Sequence, residues 1–379
     1  MRSFYHDQMT RHLATDGAPS MSGTKQGLIG LLKADTSYSD FLPVHCIIYR
    51  EHLAAKYFQY PHIMQIVLKI VNFIRSSAKT HRQFKSFIED MNNYELPNDV
   101  SWYCLVRWLS ISNVLGSFFE LLDPIKQFME EKGKSFPELS EPQWLLDLAF
   151  FIDVIQYLQT LNKSLKGKKK LISDLAQTVF SFHNKLKLFT KDLQTKTFAH
   201  FKCLKKISES FPDIPVETEE YMNKMSGLAE EINHRFNDLR SLKPSFSFLE
   251  NPFAVDVVSD GCPISSPITK DIAAVELELL ELQEDEGLKG LKRSGVSTIE
   301  FWKNVPEEKY PQTKMCAMKL ISIFGTTYVC ESLYSTLKFI KSKYRSELTD
   351  EHLSELVRTA LTNYQPDFTK LTEKMNTRK

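Results

Sequence analysis

The sequence is poor in glycine, with 13 in 379 residues, about half the usual share of ~7%. Because glycine serves turns and left-handed backbone positions, a chain with so few of them is expected to be rich in long helices. The six cysteines form no C-x-x-C pair, which argues against a zinc knuckle and against a disulfide framework. Reduced thiols in the cytosol or nucleus are therefore expected.

The chain also lacks a run of about 18 apolar residues and an apolar stretch near its N-terminus, so the sequence favours neither a membrane span nor secretion. Its formal net charge is only +1, and no overall field draws it towards nucleic acid or an anionic membrane. With 42% apolar and 25% charged residues, the composition is that of a globular protein with a sizeable core.

Apolar residues recur at spacings of three and four through the middle of the chain, as on one face of a helix. Two such stripes flank the polar segment GKKK, and we expect an antiparallel helical hairpin with both stripes in the core. A third stripe lies within YMNKMSGLAEEINHRFNDLRSL. The residues of the three stripes are Phe151, Val154, Leu158, Leu161, Leu165, Ile172, Leu175, Val179, Phe182, Leu186, Phe189, Leu193, Tyr221, Met225, Leu228, Ile232, Phe236 and Leu239.

Four segments are predicted along the chain. Residues 1–53 combine a turn (TDGAPSMSG), a short helix (KQGLIGLLKAD) and a strand-like stretch (FLPVHCIIY), which indicates an α/β fragment. Residues 54–245 have helical periodicity. Residues 246–272 are rich in proline and serine and are expected to form an irregular linker, and residues 273–379 are again helical.

Three local signals refine the helical segments. LAAKYFQYPHIMQIVLKIVNFIRSS carries helical periodicity. Pro124 is expected to kink the helix SNVLGSFFELLDPIKQFMEEKGK. Thr349 or Asp350 is expected to cap the last helix.

Five stretches occur in one order: TDGAPSM, HCIIYREHLAAKYFQYP, VRWLS, EPQWLLDLAFFIDV and CESLYSTLKFIKSKYRSELTDEHL. Together they resemble the hAT superfamily of DNA transposases, especially the domesticated vertebrate copies that accompany BED zinc fingers or general transcription factor II-I repeats. The resemblance covers nearly the whole chain. It implies a mainly α fold, in which a helical insertion domain and C-terminal hAT dimerisation helices attach to a truncated RNase H-like α/β fragment.

The resemblance also implies an Asp-Asp-Glu triad, which in the family holds two Mg²⁺ ions for phosphoryl transfer. Asp16 matches the second aspartate and Glu331 matches the glutamate. The family's first aspartate lies on an earlier strand, whereas Asp7 is close to Asp16 and its surroundings have no strand pattern. Because catalysis tolerates little misplacement, we expect a vestigial site that binds metal weakly if at all, no enzyme activity and no cofactor.

The family's C-x-x-H element corresponds to the sequence CIIY at 46–49, so Tyr49 stands in place of the histidine. His45 and His52 lie nearby but at a different spacing. On a strand, a shift by an odd number of residues points a side chain to the other face. These histidines are therefore expected to be surface or core groups rather than ligands.

Contacts with nucleic acid are expected to be weak. The RW pair matches a family element whose tryptophan is associated with a DNA hairpin, although tryptophans in helical proteins more often lie in the core, as expected for Trp102, Trp144 and Trp302. A basic cluster near the C-terminus and a second one at 166–170 could contact phosphates. The candidate DNA contacts are Arg107, Trp108, Lys338, Lys341, Lys343 and Arg345.

The C-terminal segment resembles the hAT dimerisation region, whose role does not need the missing aspartate. Its apolar residues could pair across subunits or pack within one. The dimerisation candidates are Leu333, Leu337, Ile340, Leu348, Leu353, Leu356 and Val357.

Three functions remain open at this point. The first is a domesticated, inactive transposase-derived protein that associates with itself or with related hAT-derived proteins in nuclear, transcription-related complexes, without a membrane partner. The second is an active metal-dependent transposase or nuclease, with Mg²⁺ as cofactor and the missing aspartate supplied by a longer isoform or a partner. The third is a truncated product without a settled role, in which an exposed sheet edge makes the fold marginal.

Overall fold

The computed structural model describes residues 12–35, 41–91, 97, 99–101, 110–167, 170–264, 268–342, 345, 347–362, 367, 369 and 372. The chain divides into two compact units, the first ending at Gly325 and the second starting at Thr326. The described residues are mostly helical, so the mainly α fold is confirmed. The four segment boundaries and the RNase H-like ancestry of the N-terminal fragment stay predictions.

The first unit opens with a small α/β fragment. Its two strands pair in parallel, and helices lie in the crossover between them, as a parallel connection requires. The strand predicted in FLPVHCIIY is shorter than expected, because it ends at His45 and Cys46 is already the N-cap of a helix. The elements are β1 (His12–Thr15), α1 (Pro19–Ser22), α2 (Leu28–Ala34), β2 (Leu42–His45) and α3 (Ile47–Ala55).

Helices form the rest of the first unit. The first group is α4 (Pro61–Arg75), α5 (Ala78–Asp90), α6 (Ser110–Glu120), α7 (Leu122–Glu131), a 3-10 helix (Pro137–Ser140), α8 (Pro142–Leu165), α9 (Ile172–Thr195), α10 (Lys202–Ser210), α11 (Glu219–Arg235) and α12 (Asn237–Ser241). The second group is α13 (Lys243–Glu250), a 3-10 helix (Pro252–Ala254), α14 (Val257–Asp260), α15 (Ile272–Gln283), α16 (Glu286–Arg293), α17 (Thr298–Asn304) and α18 (Pro311–Ser322).

The core lies around the hairpin of α8 and α9. Helices α4, α6 and α10 pack on α8, and α11 packs on both α9 and α3. Every residue of the three predicted stripes is buried, so the helical hairpin and the third helix are confirmed as core elements. Within the described residues, α8 is the one helix long and apolar enough to cross a membrane, but most of its apolar window is buried inside the protein, as in a central core helix.

Prolines account for two differences from the predicted helices. The stretch from Leu53 to Ser77 is not one helix, because α3 ends at Ala55 and Pro61 opens α4. Where Pro124 is expected to kink a helix, the single turn residue Leu121 separates α6 from α7, and the proline lies in the first turn of α7. The backbone N–H groups in the first turn of a helix have no acceptor within the helix, so the N–H that proline lacks is not needed there. Proline is therefore favoured at the start of a helix and disfavoured in its interior.

Prolines in first turns also account for the difference between the irregular linker expected at 246–272 and the observed structure. This segment contains the end of α13, the second 3-10 helix and α14, and Pro244 and Pro252 each lie in a first turn. Apolar residues in and beside these turns are buried, among them Phe248 and Leu249. The described part of the segment is therefore a packed piece of the first unit, and the linker prediction is wrong there.

The second unit contains α19 (Tyr328–Ile340) and α20 (Asp350–Leu361), which pack against each other. The hydroxyl of Thr349 accepts a hydrogen bond from the backbone N–H of His352 at 3.3 Å, so Thr349, not Asp350, is the N-cap of α20. The described residues after 306 form α18, α19 and α20, in agreement with the helical character expected there.

Candidate functional site

Asp16 lies directly after β1 and is exposed to solvent. Its Oδ1 accepts a hydrogen bond from the backbone N–H of Ala18 at 3.0 Å, which is a side-chain-supported turn. Its carbonyl oxygen lies 2.9 Å from Nε2 of His45. The next residue, Gly17, has φ +78°, a left-handed conformation that favours glycine. The immediate role of Asp16 is thus to shape the turn that follows the strand.

His45 closes this turn from the end of β2. A carbonyl oxygen can only accept, so Nε2 of His45 carries the proton and donates to Asp16. Burial lowers the pKa of His45, and the positive charge of Arg50 lowers it further, which favours the neutral ring. His52, the other histidine near the CIIY sequence, also has its pKa lowered, first by burial and then by Lys56.

Glu331 lies in the first turn of α19, in the second unit, and is exposed. The hydroxyl of Thr327 lies 3.4 Å from its Oε1. A pair of Mg²⁺ ions needs several hard oxygen ligands at one place. The described residues contain no group of three histidine, cysteine, aspartate or glutamate side chains that could hold a metal ion.

Two buried carboxylates of the first unit have structural roles. Asp153 on α8 accepts hydrogen bonds from the backbone N–H groups of Cys203 and Leu204, at 3.1 and 3.0 Å. These N–H groups lie in the first turn of α10, where a helix has no internal acceptors. Asp153 thus fixes the start of α10 on the central helix, and this contact joins residues about 50 positions apart in the sequence.

Asp192, near the end of α9, organises the loop that follows. It accepts from the N–H groups of Ala199 (3.1 Å) and His200 (2.8 Å), and from the hydroxyl of Thr197. Within this loop Lys196 and Phe198 have φ values of 54° and 50°, which are unfavourable for side-chain-bearing residues. Hydrogen bonds to a carboxylate are among the stronger ones, and they hold the loop in this conformation.

Of the predicted tryptophans, Trp144 and Trp302 are buried, as expected. The indole Nε1 of Trp302 donates to the carbonyl oxygen of Leu249 at 2.8 Å, which joins α17 to α13. Several residues singled out from the sequence lie outside the described residues: the expected core residue Trp102 and the predicted contact residues Arg107, Trp108, Lys168, Lys169 and Lys343.

Two lysines of the predicted C-terminal basic cluster lie at the end of α19 and are exposed. Lys338 is in the last turn, and Lys341 is the C-cap, where positive charge is favourable beside unpaired carbonyl groups. Together with the exposed Tyr334, they follow each other at spacings of four and three, so all three lie on one side of the helix. Arg345, beyond the helix, is also exposed.

The dimerisation candidates lie on α19, on α20 and just before α20, and most of them are only partly buried. Among the described residues of the second unit, Ile340 is the one hydrophobic side chain that is buried. On α20 the apolar stripe continues to Ala360, which is exposed. The candidates that are only half-buried are Leu333, Leu337, Leu348, Leu353, Leu356 and Val357.

Three large apolar residues of α19 were missed by the leucine pattern. Val329 and Tyr334 are exposed, and Phe339 is 89% exposed. A search for single large apolar residues along the helix, rather than for a repeating stripe, would have identified them. The second unit therefore exposes large apolar side chains in addition to the half-buried dimerisation candidates.

Two family models match the chain. The FAM200/GTF2IRD2 helical domain matches residues 45–194, which run from the end of β2 to the end of α9. The hAT family C-terminal dimerisation region matches residues 278–360, which run from α15 through α20. The second match therefore includes both the end of the first unit and the thinly covered hairpin.

The chain is similar to the General transcription factor II-I repeat domain-containing protein 2 of Bos taurus, with 32% identity over 345 residues, or 89% of this chain. The Mus musculus protein of the same name is 29% identical over 335 residues, or 87% of this chain. Both alignments cover 34% of the relative, so the chain spans about a third of the length of these curated relatives. As the ordered motifs predicted, the chain is similar to hAT-derived proteins, with one region that matches the FAM200/GTF2IRD2 helical domain and a second that matches the hAT C-terminal dimerisation region.

Proposed function

We propose that the chain acts by self-association, with the α19–α20 hairpin as the interface of a homodimer and the helical first unit as a scaffold in nuclear, transcription-related complexes. The observation that carries the proposal is the half-covered apolar stripe of the hairpin, in a segment that matches the hAT dimerisation region. The name of the relatives, which refers to general transcription factor II-I repeats, supports the nuclear setting.

The physical argument is the size of the core. Two short helices bury too little apolar surface to balance the conformational entropy lost on folding, and such small units are usually completed by a partner, a metal or disulfides. Two copies of the hairpin can complete each other as a four-helix arrangement around a twofold axis. The apolar stripe of α20, from Leu353 to the exposed Ala360, would then lie in the shared core.

The test compares two adjacent, exposed positions on α20. Ala360→Glu places a charge on the apolar stripe, whereas Thr359→Glu places the same charge away from it. Because both side chains are exposed within one copy, neither change breaks packing inside the chain. Light scattering at micromolar concentration is expected to give a dimer for the wild type and for Thr359→Glu, and a monomer for Ala360→Glu. A wild-type protein that is monomeric throughout this range would overturn the proposal.

The proposal includes the loss of phosphoryl transfer. Its support is the engagement of Asp16 in a turn and the lack of a metal-binding cluster among the described residues. The purified chain is expected to leave supercoiled DNA intact in the presence of Mg²⁺ or Mn²⁺. Nicking that is abolished by Asp16→Asn or by Glu331→Gln would instead establish the metal-dependent nuclease.

A second candidate function is weak contact with nucleic acid, favoured by the exposed side of α19 that carries Tyr334, Lys338 and Lys341. Lysines would contact phosphates, and the ring could stack on an unpaired base. A gel-shift titration is expected to show binding that weakens steeply with salt and that is lost in Lys338→Glu/Lys341→Glu. Equal binding by the wild type and this variant would exclude the surface.

A further inference from the structure

Helix α15 is apolar on two opposite sides. Val275, Leu279 and Leu282 face inward and are fully buried in the first unit. Leu277 and Leu280, in contrast, are 66% and 39% exposed. A surface helix normally places its apolar residues on the core side alone. The second apolar side of α15 is therefore not needed for the packing of this chain.

The exposed residues form a continuous ridge. At 100° per residue, Ala273, Leu277 and Leu280 are separated by four and three positions and lie on one side of the helix, opposite to the buried side. We call these three residues the outer ridge. Glu276 and Glu281 lie about 70° to either side of it, by the same helical geometry. The outer ridge is thus an apolar strip with a carboxylate along each border.

The surroundings of the outer ridge are acidic. No lysine or arginine occurs between Lys270 and Lys289, and this stretch has seven acidic residues. Three of them act within the fold, because Asp271 caps α15, Glu278 accepts from the N–H groups at the start of α18 and Asp285 caps α16. The four that remain for the surface are Glu276, Glu281, Glu284 and Glu286.

Nearby cations leave the acidic rim largely uncompensated. Lys289 approaches Glu286 at 2.9 Å and Glu284 at 3.6 Å, but both carboxylates remain mostly exposed. Exposed ion pairs of this kind are weak and are screened by salt. Glu276 and Glu281, which border the outer ridge, have no ion pair with a described residue. The field at the ridge is therefore negative.

We propose that the outer ridge is a docking site for a basic amphipathic helix of another protein. A helix recognises a strip of this kind through apolar residues spaced by three and four, which pack on Leu277 and Leu280. Lysine or arginine on either side of that apolar face would meet Glu276 and Glu281, and this complementarity selects a basic partner and speeds its association. Nucleic acid and anionic membranes are repelled by the same carboxylates.

The experiment uses the full chain and two fluorescent synthetic peptides of the same helical pattern, one built from leucine and lysine and the other from leucine and glutamate. Fluorescence anisotropy is expected to show micromolar binding of the leucine–lysine peptide, which weakens as salt is added, and no binding of the leucine–glutamate peptide. Leu277→Ser/Leu280→Ser and Glu276→Lys/Glu281→Lys are each expected to weaken binding at least tenfold. The changed side chains are at the surface, and circular dichroism verifies the fold.

Matched controls distinguish binding at the outer ridge from nonspecific binding of the peptide to other exposed apolar or acidic residues. Leu188→Ser removes an exposed leucine from α9, and Glu307→Lys/Glu308→Lys reverses two exposed charges after α17. Both controls are expected to bind the leucine–lysine peptide as the wild type does. Equal weakening by the controls, or unchanged binding by the ridge variants, would overturn the proposal.

A second copy of the chain is the other candidate occupant of the outer ridge, because α15 overlaps the segment that matches the dimerisation region. The oligomeric state distinguishes it from a different protein. Light scattering of Leu277→Ser/Leu280→Ser is expected to give the same mass as the wild type. A change from dimer to monomer in this variant would assign the outer ridge to a second copy of the chain and would overturn the docking of a different protein. The hairpin variant Ala360→Glu tests the proposed homodimer separately.

Discussion

Asn162 on α8 donates a hydrogen bond from Nδ2 to Oε2 of Glu51 on α3, at 2.5 Å, inside the core of the first unit. Glu51 is only 2% exposed. Burial raises the pKa of its carboxyl group to about 7, against the smaller lowering effects of Asn162 and Lys166. The folded protein therefore keeps Glu51 protonated over a range of pH in which an exposed glutamate is ionised.

This relationship predicts a stability that falls with pH. Between the ordinary pKa of 4.5 and about 7, the folded chain binds a proton that the unfolded chain has released, so the contribution of Glu51 declines as pH rises and levels off above this window. Glu51→Gln removes the titration. Relative to this variant, the wild type is expected to lose about 3 kcal/mol of unfolding free energy between about pH 4.5 and about pH 8, as measured by urea unfolding.

The comparison with Glu51→Gln isolates one group, because other residues titrate in both proteins. Glu230→Gln, at an exposed position of α11, serves as the control and is expected to follow the wild type at each pH. A difference between wild type and Glu51→Gln that does not vary with pH would show that Glu51 is ionised in the core.

A second prediction concerns Gly17. An alanine there would adopt an unfavourable φ of +78°, and its Cβ would lie 2.2 Å from Nε2 of His45. Gly17→Ala is therefore expected to lower the unfolding free energy by about 3 kcal/mol, measured by urea unfolding, from backbone strain and the displaced ring together.

Gly133 provides the matched control, because it has φ +66° and an added Cβ would meet nothing within 4 Å. Gly133→Ala is expected to lower the unfolding free energy by about 1 kcal/mol, which is the cost of the unfavourable backbone conformation alone. In a His45→Ala background, the cost of Gly17→Ala is expected to fall to this level. An unchanged cost would mean that His45 is not the obstacle.

A third prediction concerns the loop after α9. Burial raises the pKa of Asp192, but hydrogen bonds from Thr197 and His200 outweigh it, and the net pKa is lowered. Asp192→Ala leaves the N–H groups of Ala199 and His200 without their acceptor, and it is expected to cost about 3 kcal/mol of unfolding free energy.

Hydrogen exchange gives a local measure of the same change. The amides of Ala199 and His200 are expected to exchange faster in Asp192→Ala, whereas Asp213→Ala, at an exposed position of a later loop, is expected to leave them protected. Unchanged protection in Asp192→Ala would show that other contacts hold the left-handed residues of the loop.

A fourth prediction separates the two units. A chain that ends after Thr326 retains Gly325, whose carbonyl oxygen accepts a hydrogen bond from the N–H of Ile47 at 2.9 Å. This shortened chain is expected to keep the helical circular dichroism of the first unit and to be monomeric by light scattering. A dimer would place the interface in the first unit instead.

The helical core could be predicted from the sequence because its signal is local. Every residue of the stripes from Phe151 to Leu239 is buried, since a spacing of three and four leaves a helix only one side for its apolar residues. The linker prediction failed because proline was taken as a sign of irregular backbone. Pro244 and Pro252 instead occupy first turns, where proline is tolerated.

The roles of individual polar residues could not be predicted in the same way. Glu51 and Asn162 are 111 positions apart, and Asp153 and Leu204 are 51 apart, so no local pattern connects them. Asp16 was identified from a family motif, yet the contact that defines its surroundings is with His45, 29 positions away. The packing of distant helices determines these contacts.

In the proposed homodimer, the sparse interior of the α19–α20 hairpin ties its folding to mass action. When each copy supplies half of the shared core, the free energy of the folded segment includes the logarithm of protomer concentration. Thermal denaturation of this segment should thus shift to higher temperature on concentrating the sample, whereas denaturation of the first unit should not. In a cell, expression level alone would then regulate how long the C-terminal helices survive proteolysis.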